Sequence, residues 1–132
     1  MMFTNRKIYG FTLIEVLIAA LILGILLSIA VPTYMTHVRK GYRTNAIHNL
    51  IILQLAEEKY HYANQIYSSG LTIPPTDRYD IAISNVSATT YTLTATATGG
   101  QANDGEGGVS CATLTLAVDS GDETKSPAEC WD

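Results

Sequence analysis

Glu15 is the only charged residue between positions 11 and 31, a stretch in which 17 of 21 residues are apolar. A lone carboxylate in such surroundings is costly unless it meets a positive partner. It reads as a functional candidate, with a carboxylate that merely snorkels to the interface as the alternative. Cys111 and Cys130 are the two cysteines of the chain. They can form a disulfide or stay as two thiols, and no paired spacing suggests a zinc site. The glycine-rich stretch 99–108 with Asp104 and Glu106 could be read as an acidic calcium loop. The stretch lacks the spaced ligands of an EF-hand, and a flexible hairpin loop is its expected form. His37, His48 and His61 are isolated, with no pair at helical i, i+4 spacing. No serine sits in a nucleophile motif, and no phosphate loop or dinucleotide fingerprint is present. The expectation is a protein that is no enzyme and needs neither cofactor nor metal.

The element that must hold Glu15 is a helix. Twenty-one helical residues rise about 31 Å, close to one hydrocarbon core. Fourteen of them are Leu, Ile, Val or Phe, which favours insertion by roughly 4–8 kcal/mol. Glu15 lies near one end, where a charge costs less than the ~3 kcal/mol of a central one. Arg6 and Lys7 precede the run, so the amino terminus is expected on the cytoplasmic side. Arg39, Lys40 and Arg43 follow it and weaken that asymmetry. Ser28-Ile29-Ala30 offers a competing reading as a signal-peptide cleavage site, against which the run is long for an h-region. A plain single-pass anchor would leave Glu15 unexplained.

The rest of the chain is modest in size and acidic. Of the 132 residues 62 are apolar, but only 45 of the 111 outside the run. That suffices for one small domain. Residues 44–132 hold three basic and eleven acidic residues, a balance of −8, which disfavours a generic nucleic-acid surface. A helix is expected to resume after Pro32 and reach about Asn64. Leu50, Ile51, Ile52, Leu53 and Leu55 point to nearly all sides of it, so a small sheet can cover only some of them. Other chains would have to cover the remainder. Residues 65–78 read as a loop, with Ser68-Ser69-Gly70 and Pro74-Pro75 as breakers. Strands are expected at 79–86, 91–98 and 111–118. Tyr91, Leu93, Ala95 and Ala97 alternate with threonines, and Leu114, Leu116 and Val118 share one face. One helix on an antiparallel sheet of three or four strands is the expected α+β head. With both cysteines beyond the membrane, an oxidising compartment favours a Cys111–Cys130 bridge, worth ~3 kcal/mol for a loop of this length.

Gly10-Phe11-Thr12-Leu13-Ile14-Glu15-Val16, after a polar leader with two cations and before the apolar run, resembles the type III signal motif of type IV pilins. The resemblance implies a leader of residues 1–10, a transmembrane and filament-core helix at 11–31, and a periplasmic or extracellular head at 32–132. It implies cleavage after Gly10 by a prepilin peptidase and N-methylation of Phe11. It also implies that an incoming subunit's Phe11 amine pairs with a neighbour's Glu15, so that two costly charges become tolerable together. Gly24 and Pro32 match positions where the family's helix kinks or loosens in filaments. Residues 55–67, with Glu58, Tyr60, Asn64 and Tyr67, resemble the helix end of PilE-type minor pilins, and the paired-cysteine tail with Cys130-Trp131 near its end resembles theirs. As chemistry alone, Tyr60, Tyr62 and Tyr67 read as packing residues with a polar tip.

The implied function is a structural subunit, a minor pilin, serving adhesion, twitching motility or DNA uptake. Its partners would be other pilin subunits, the prepilin peptidase, the inner-membrane assembly machinery and the membrane, with nucleic acid disfavoured. A type II secretion pseudopilin, whose relatives often bind calcium near the carboxyl terminus, is the first alternative, and a DNA-binding pilin the second. The expected location is the bacterial inner membrane as precursor and the surface pilus after assembly.

Overall fold

One helix, α1, runs from Leu13 to Asn64 in the computed structural model, which describes residues 10–73 and 76–132. The leader cations Arg6 and Lys7 and the Pro74-Pro75 breaker lie outside the described residues. The chain divides into two compact units between Met35 and Thr36.

In the first unit, the large apolar side chains from Leu13 to Val31 are 51–80% exposed. The helix is long and apolar enough to cross a membrane. Gly24 and Pro32 both lie inside α1. The Thr33 hydroxyl donates to the Ile29 carbonyl at 3.2 Å, close to the proline.

The second unit is an α+β head. Its sheet has strands β1 (Tyr79–Ser84), β2 (Thr90–Ala97), β5 (Thr113–Asp119) and β6 (Asp122–Ser126), in the order β1-β2-β5-β6 and antiparallel throughout. A short hairpin of β3 (Gly105–Glu106) and β4 (Val109–Ser110) forms a separate pair. The alternation in β2 and β5 sends Tyr91, Leu93, Ala95, Leu114, Leu116 and Val118 inward. They join Ala46, Leu50 and Leu53 of α1 in one core. The three expected strands are present with shifted ends. The fourth, β6, has every residue exposed and no apolar pattern to announce it; charged side chains suit an edge strand, which must resist pairing with other chains. The β5–β6 turn is Ser120-Gly121, with φ of 54° and 90°, the tight hairpin geometry that glycine favours.

Stretch 99–108, expected as a hairpin loop, carries regular local structure. It forms a 3₁₀ turn at Gly99–Asn103 followed by the β3–β4 hairpin. Gln101 and Asp104 within it are buried. The tail closes through the Cys111–Cys130 disulfide, whose two cysteines are fully buried.

Candidate assembly site

Thr12 and Glu15 form a reciprocal cap at the start of α1. The Thr12 amide and hydroxyl both donate to Glu15 Oε2, at 3.0 and 3.1 Å. The Glu15 amide donates to Thr12 Oγ1 at 3.3 Å. Amides at a helix start lack partners within the helix, and Thr-x-x-Glu satisfies two donors at once. The carboxylate is thus folded back toward Phe11, which is 89% exposed. Reading the sequence for charge alone missed this cap. The signal was present as Thr12-Leu13-Ile14-Glu15 before an apolar run.

Within the head, α1 keeps an uncovered apolar stripe. Ile51 and Ile52 are each 46% exposed and Leu55 71%, while Leu50 and Leu53 beside them are buried. Tyr62, and Ile66 just past the end of the helix, are exposed as well. The sheet covers one face of the helix and leaves these apolar side chains exposed, alongside His48 and Lys59.

Two charged clusters brace the head. Arg43, buried on α1, donates to Asp104 Oδ2 at 3.0 Å and to Glu106 Oε2. Lys40 pairs with Glu106 at 3.5 Å. The Gln101 amide donates to the Arg39 carbonyl at 2.9 Å and to Tyr79 Oη at 3.1 Å. These bonds hold stretch 99–108 on the helix. The Arg43 hydrogen bond and then the Lys40 charge keep the Glu106 carboxyl below its ordinary range. Arg43 entered the sequence reading only as a flanking positive charge. Its partners lie 61 and 63 residues away, and no local pattern marks them.

The second cluster contains two acids that form no ion pair among the described residues. Glu57 is fully buried, and its Oε2 accepts from the Ser68 amide at 2.8 Å. Burial raises its pKa, against the lowering effect of that bond. Glu58 Oε1 accepts from the hydroxyls of Tyr91 at 2.9 Å and Tyr67 at 3.2 Å. Burial, followed by the Glu58 hydrogen bond, raises the Tyr91 hydroxyl. His61 stacks on Tyr67 with centroids 4.3 Å apart. Glu58 and Tyr67 of the singled-out motif therefore meet. Asn64 instead bonds back to the Tyr60 carbonyl at 2.9 Å.

His37 and His48 are exposed. Glu123 is held by Lys125 and Gln54, which lower its pKa in that order. Asp119 accepts from the Ser120 hydroxyl at 2.9 Å. Among the described residues, no group of three or more His, Cys, Asp or Glu is placed to hold a metal ion.

Comparison with known proteins bears on these features. The family described as type IV minor pilin ComP, DNA uptake sequence receptor, matches residues 32–115. The prokaryotic N-terminal methylation motif matches residues 5–31. The type II secretion system core protein G of Vibrio cholerae is 37% identical over 62 residues, covering 47% of this chain and 42% of its own. That of Aeromonas hydrophila is 37% identical over 63 residues, covering 48% and 44%. The chain thus spans less than half the length of these two relatives. A solved type IV pilin from Shewanella oneidensis shares the fold, with a TM-score of 0.56, at 22% identity over 71% of this chain and 98% of that one.

Proposed function

Because the chain belongs to the type IV minor pilin ComP family and carries the N-terminal methylation motif, we propose that it is made as a prepilin and built into a surface filament. In this reading a prepilin peptidase cuts after Gly10 and methylates the new Phe11 amine. The apolar first unit holds the precursor in the inner membrane, its amino terminus cytoplasmic, until assembly machinery draws it into the filament. Glu15 then accepts the Phe11 amine of an adjoining subunit, which rewards correct register. The Thr12–Glu15 cap supports this by keeping the carboxylate at the end of the helix where that amine arrives. Gly24 and Pro32 give the helix the points at which it kinks or loosens during packing.

The observation that carries the proposal is the uncovered apolar surface of α1. It includes the side chains from Leu13 to Val31 and, in the head, Ile51, Ile52 and Leu55. Lipid can cover the first group before assembly. Neighbouring subunits are the cover for both groups afterwards.

The test is mass spectrometry of filaments sheared from the native cell. The expected result is a peptide beginning with N-methylated Phe11, present as a small fraction of the most abundant pilin. Mature chain that stays with the envelope of piliated cells would overturn the pilus reading in favour of a secretion pseudopilin, which the core protein G relatives represent.

A second reading, DNA capture by the head, is favoured by the family's description as a DNA uptake sequence receptor. The balance of −8 over residues 44–132 works against it. Arg43, Lys40 and Lys125 each face an acid. Arg78 is exposed and lies over the Tyr42 ring at 5.4 Å, which gives one cation–aromatic pair for a phosphate or base. Gel retardation by the detergent-solubilised full chain, weakened by salt and by Arg78→Ala, is the expected result. No retardation at low salt would remove this reading.

A further inference from the structure

At one end of the head, the β1–β2 and β5–β6 turns approach the carboxyl-terminal part of α1. Between them is an open pocket of about 440 Å³, lined by Glu58, His61, Tyr67, Ala88, Thr89, Ser120 and Gly121. We propose that this pocket binds a primary ammonium group, with Glu58 as its counter-charge.

The chemistry of the lining selects that ligand. Glu58 forms no ion pair among the described residues. Among the described residues, its Oε1 accepts from Tyr91 and Tyr67, while Oε2 accepts from the Tyr67 hydroxyl at 3.5 Å. The tyrosines therefore hold the carboxylate chiefly through Oε1 and leave Oε2 with one long contact. A guanidinium fork is best served by both oxygens, whereas an ammonium is a point charge that one oxygen can serve. His61 Nε2 lies 2.9 Å from the Ala88 carbonyl oxygen. A carbonyl only accepts, so Nε2 donates to it. The stacked His61–Tyr67 wall offers an apolar and π-rich surface to a methylene stem and its charge. An anion would meet Glu58 with no cation to offset it. A divalent metal would find one carboxylate where it needs several oxygen ligands.

The ammonium can come from a lysine of an adjoining subunit or from a soluble amine. The first source rests on the filament reading, and the site itself does not. The direct test titrates the detergent-solubilised full chain with 1-butylamine and, as its neutral counterpart, 1-butanol, following the His61 and Tyr67 ring signals by NMR. Saturable shifts with the amine alone are expected. E58Q keeps an oxygen for the tyrosine hydroxyls but removes the charge, and should weaken binding by roughly tenfold. Equal responses to amine and alcohol, or unchanged amine binding in a folded E58Q chain, would overturn the proposal. Should E58Q lose its near-UV circular dichroism, the amine–alcohol contrast on the native chain still decides.

Carbodiimide coupling of sheared filaments then identifies the source. An amide between Glu58 and a neighbour's lysine supports the subunit contact. Amine binding by the free chain without that amide supports a soluble ligand. A chain that never enters filaments defeats the filament reading and leaves the titration result intact.

Discussion

Leu50 and Leu55 lie five residues apart on α1, yet Leu50 is fully buried and Leu55 is 71% exposed. The same contrast separates the chain's two units. In the head, part of the helix surface meets the sheet, with Ala46, Leu50 and Leu53 completing the core. In the first unit, the large apolar side chains from Leu13 to Val31 are all at least half exposed. Folding of the head therefore draws on one stripe of α1. The remaining apolar surface gains its stabilisation only from lipid or other subunits. Stability and assembly should then respond to different residues of one helix.

The largest separation is expected at Glu15. Glu15→Ala should leave insertion, cleavage and the unfolding of the head unchanged, while incorporation into filaments falls about tenfold or more in competition with wild type. Equal incorporation would break the comparison. Arg43→Ala tests the opposite side. It strands the buried Asp104 carboxylate, whose side chain is 2% exposed, and should destabilise the head by about 3–5 kcal/mol in denaturant unfolding of the solubilised chain. A loss below about 1 kcal/mol would mean that stretch 99–108 does not depend on this pair.

The two leucines sharpen the contrast further. Leu50→Ala should cost about 2–5 kcal/mol. Leu55→Ala should stay within about 0.5 kcal/mol in stability and reduce filament incorporation. Matching losses of stability would show that Leu55 is covered within the chain.

The smallest effects concern pH. Glu106 has a lowered pKa, so its contribution is present above the ordinary 4.5 and is lost as pH falls through the lowered value. Glu57 has a raised pKa, so its contribution is present below 4.5 and is lost as pH rises through the raised value. Melting of the solubilised chain should show Glu106→Gln destabilising at neutral pH and much less so in acid. Glu57→Gln should compare more favourably with wild type at neutral pH than in acid. The same trend for both would contradict these charge environments.

Much of the fold was legible because its signals are local. Period-2 alternation marked β2 and β5. The apolar run and its carboxylate marked the first unit. The turn to a loop after Asn64 was read close to where α1 ends. The Thr12–Glu15 cap is equally local, and Thr-x-x-Glu marks it, although the charge of the acid alone does not. β6 was not legible, since DETKS carries no apolar rhythm and becomes a strand only by pairing with β5.

By itself, the sequence determined an apolar helix with one carboxylate near its start, an α+β head and two cysteines able to close the tail. These follow from composition, spacing and periodicity within short windows. Only the tertiary structure decided that Arg43 holds stretch 99–108 through Asp104 and Glu106. It alone brought Glu58 to Tyr67 and Tyr91, and chose which side of α1 around Leu50 would be buried. Those outcomes depend on residues up to 63 positions apart meeting across the core, and their burial and charge pairing exist only once the sheet and helix have packed.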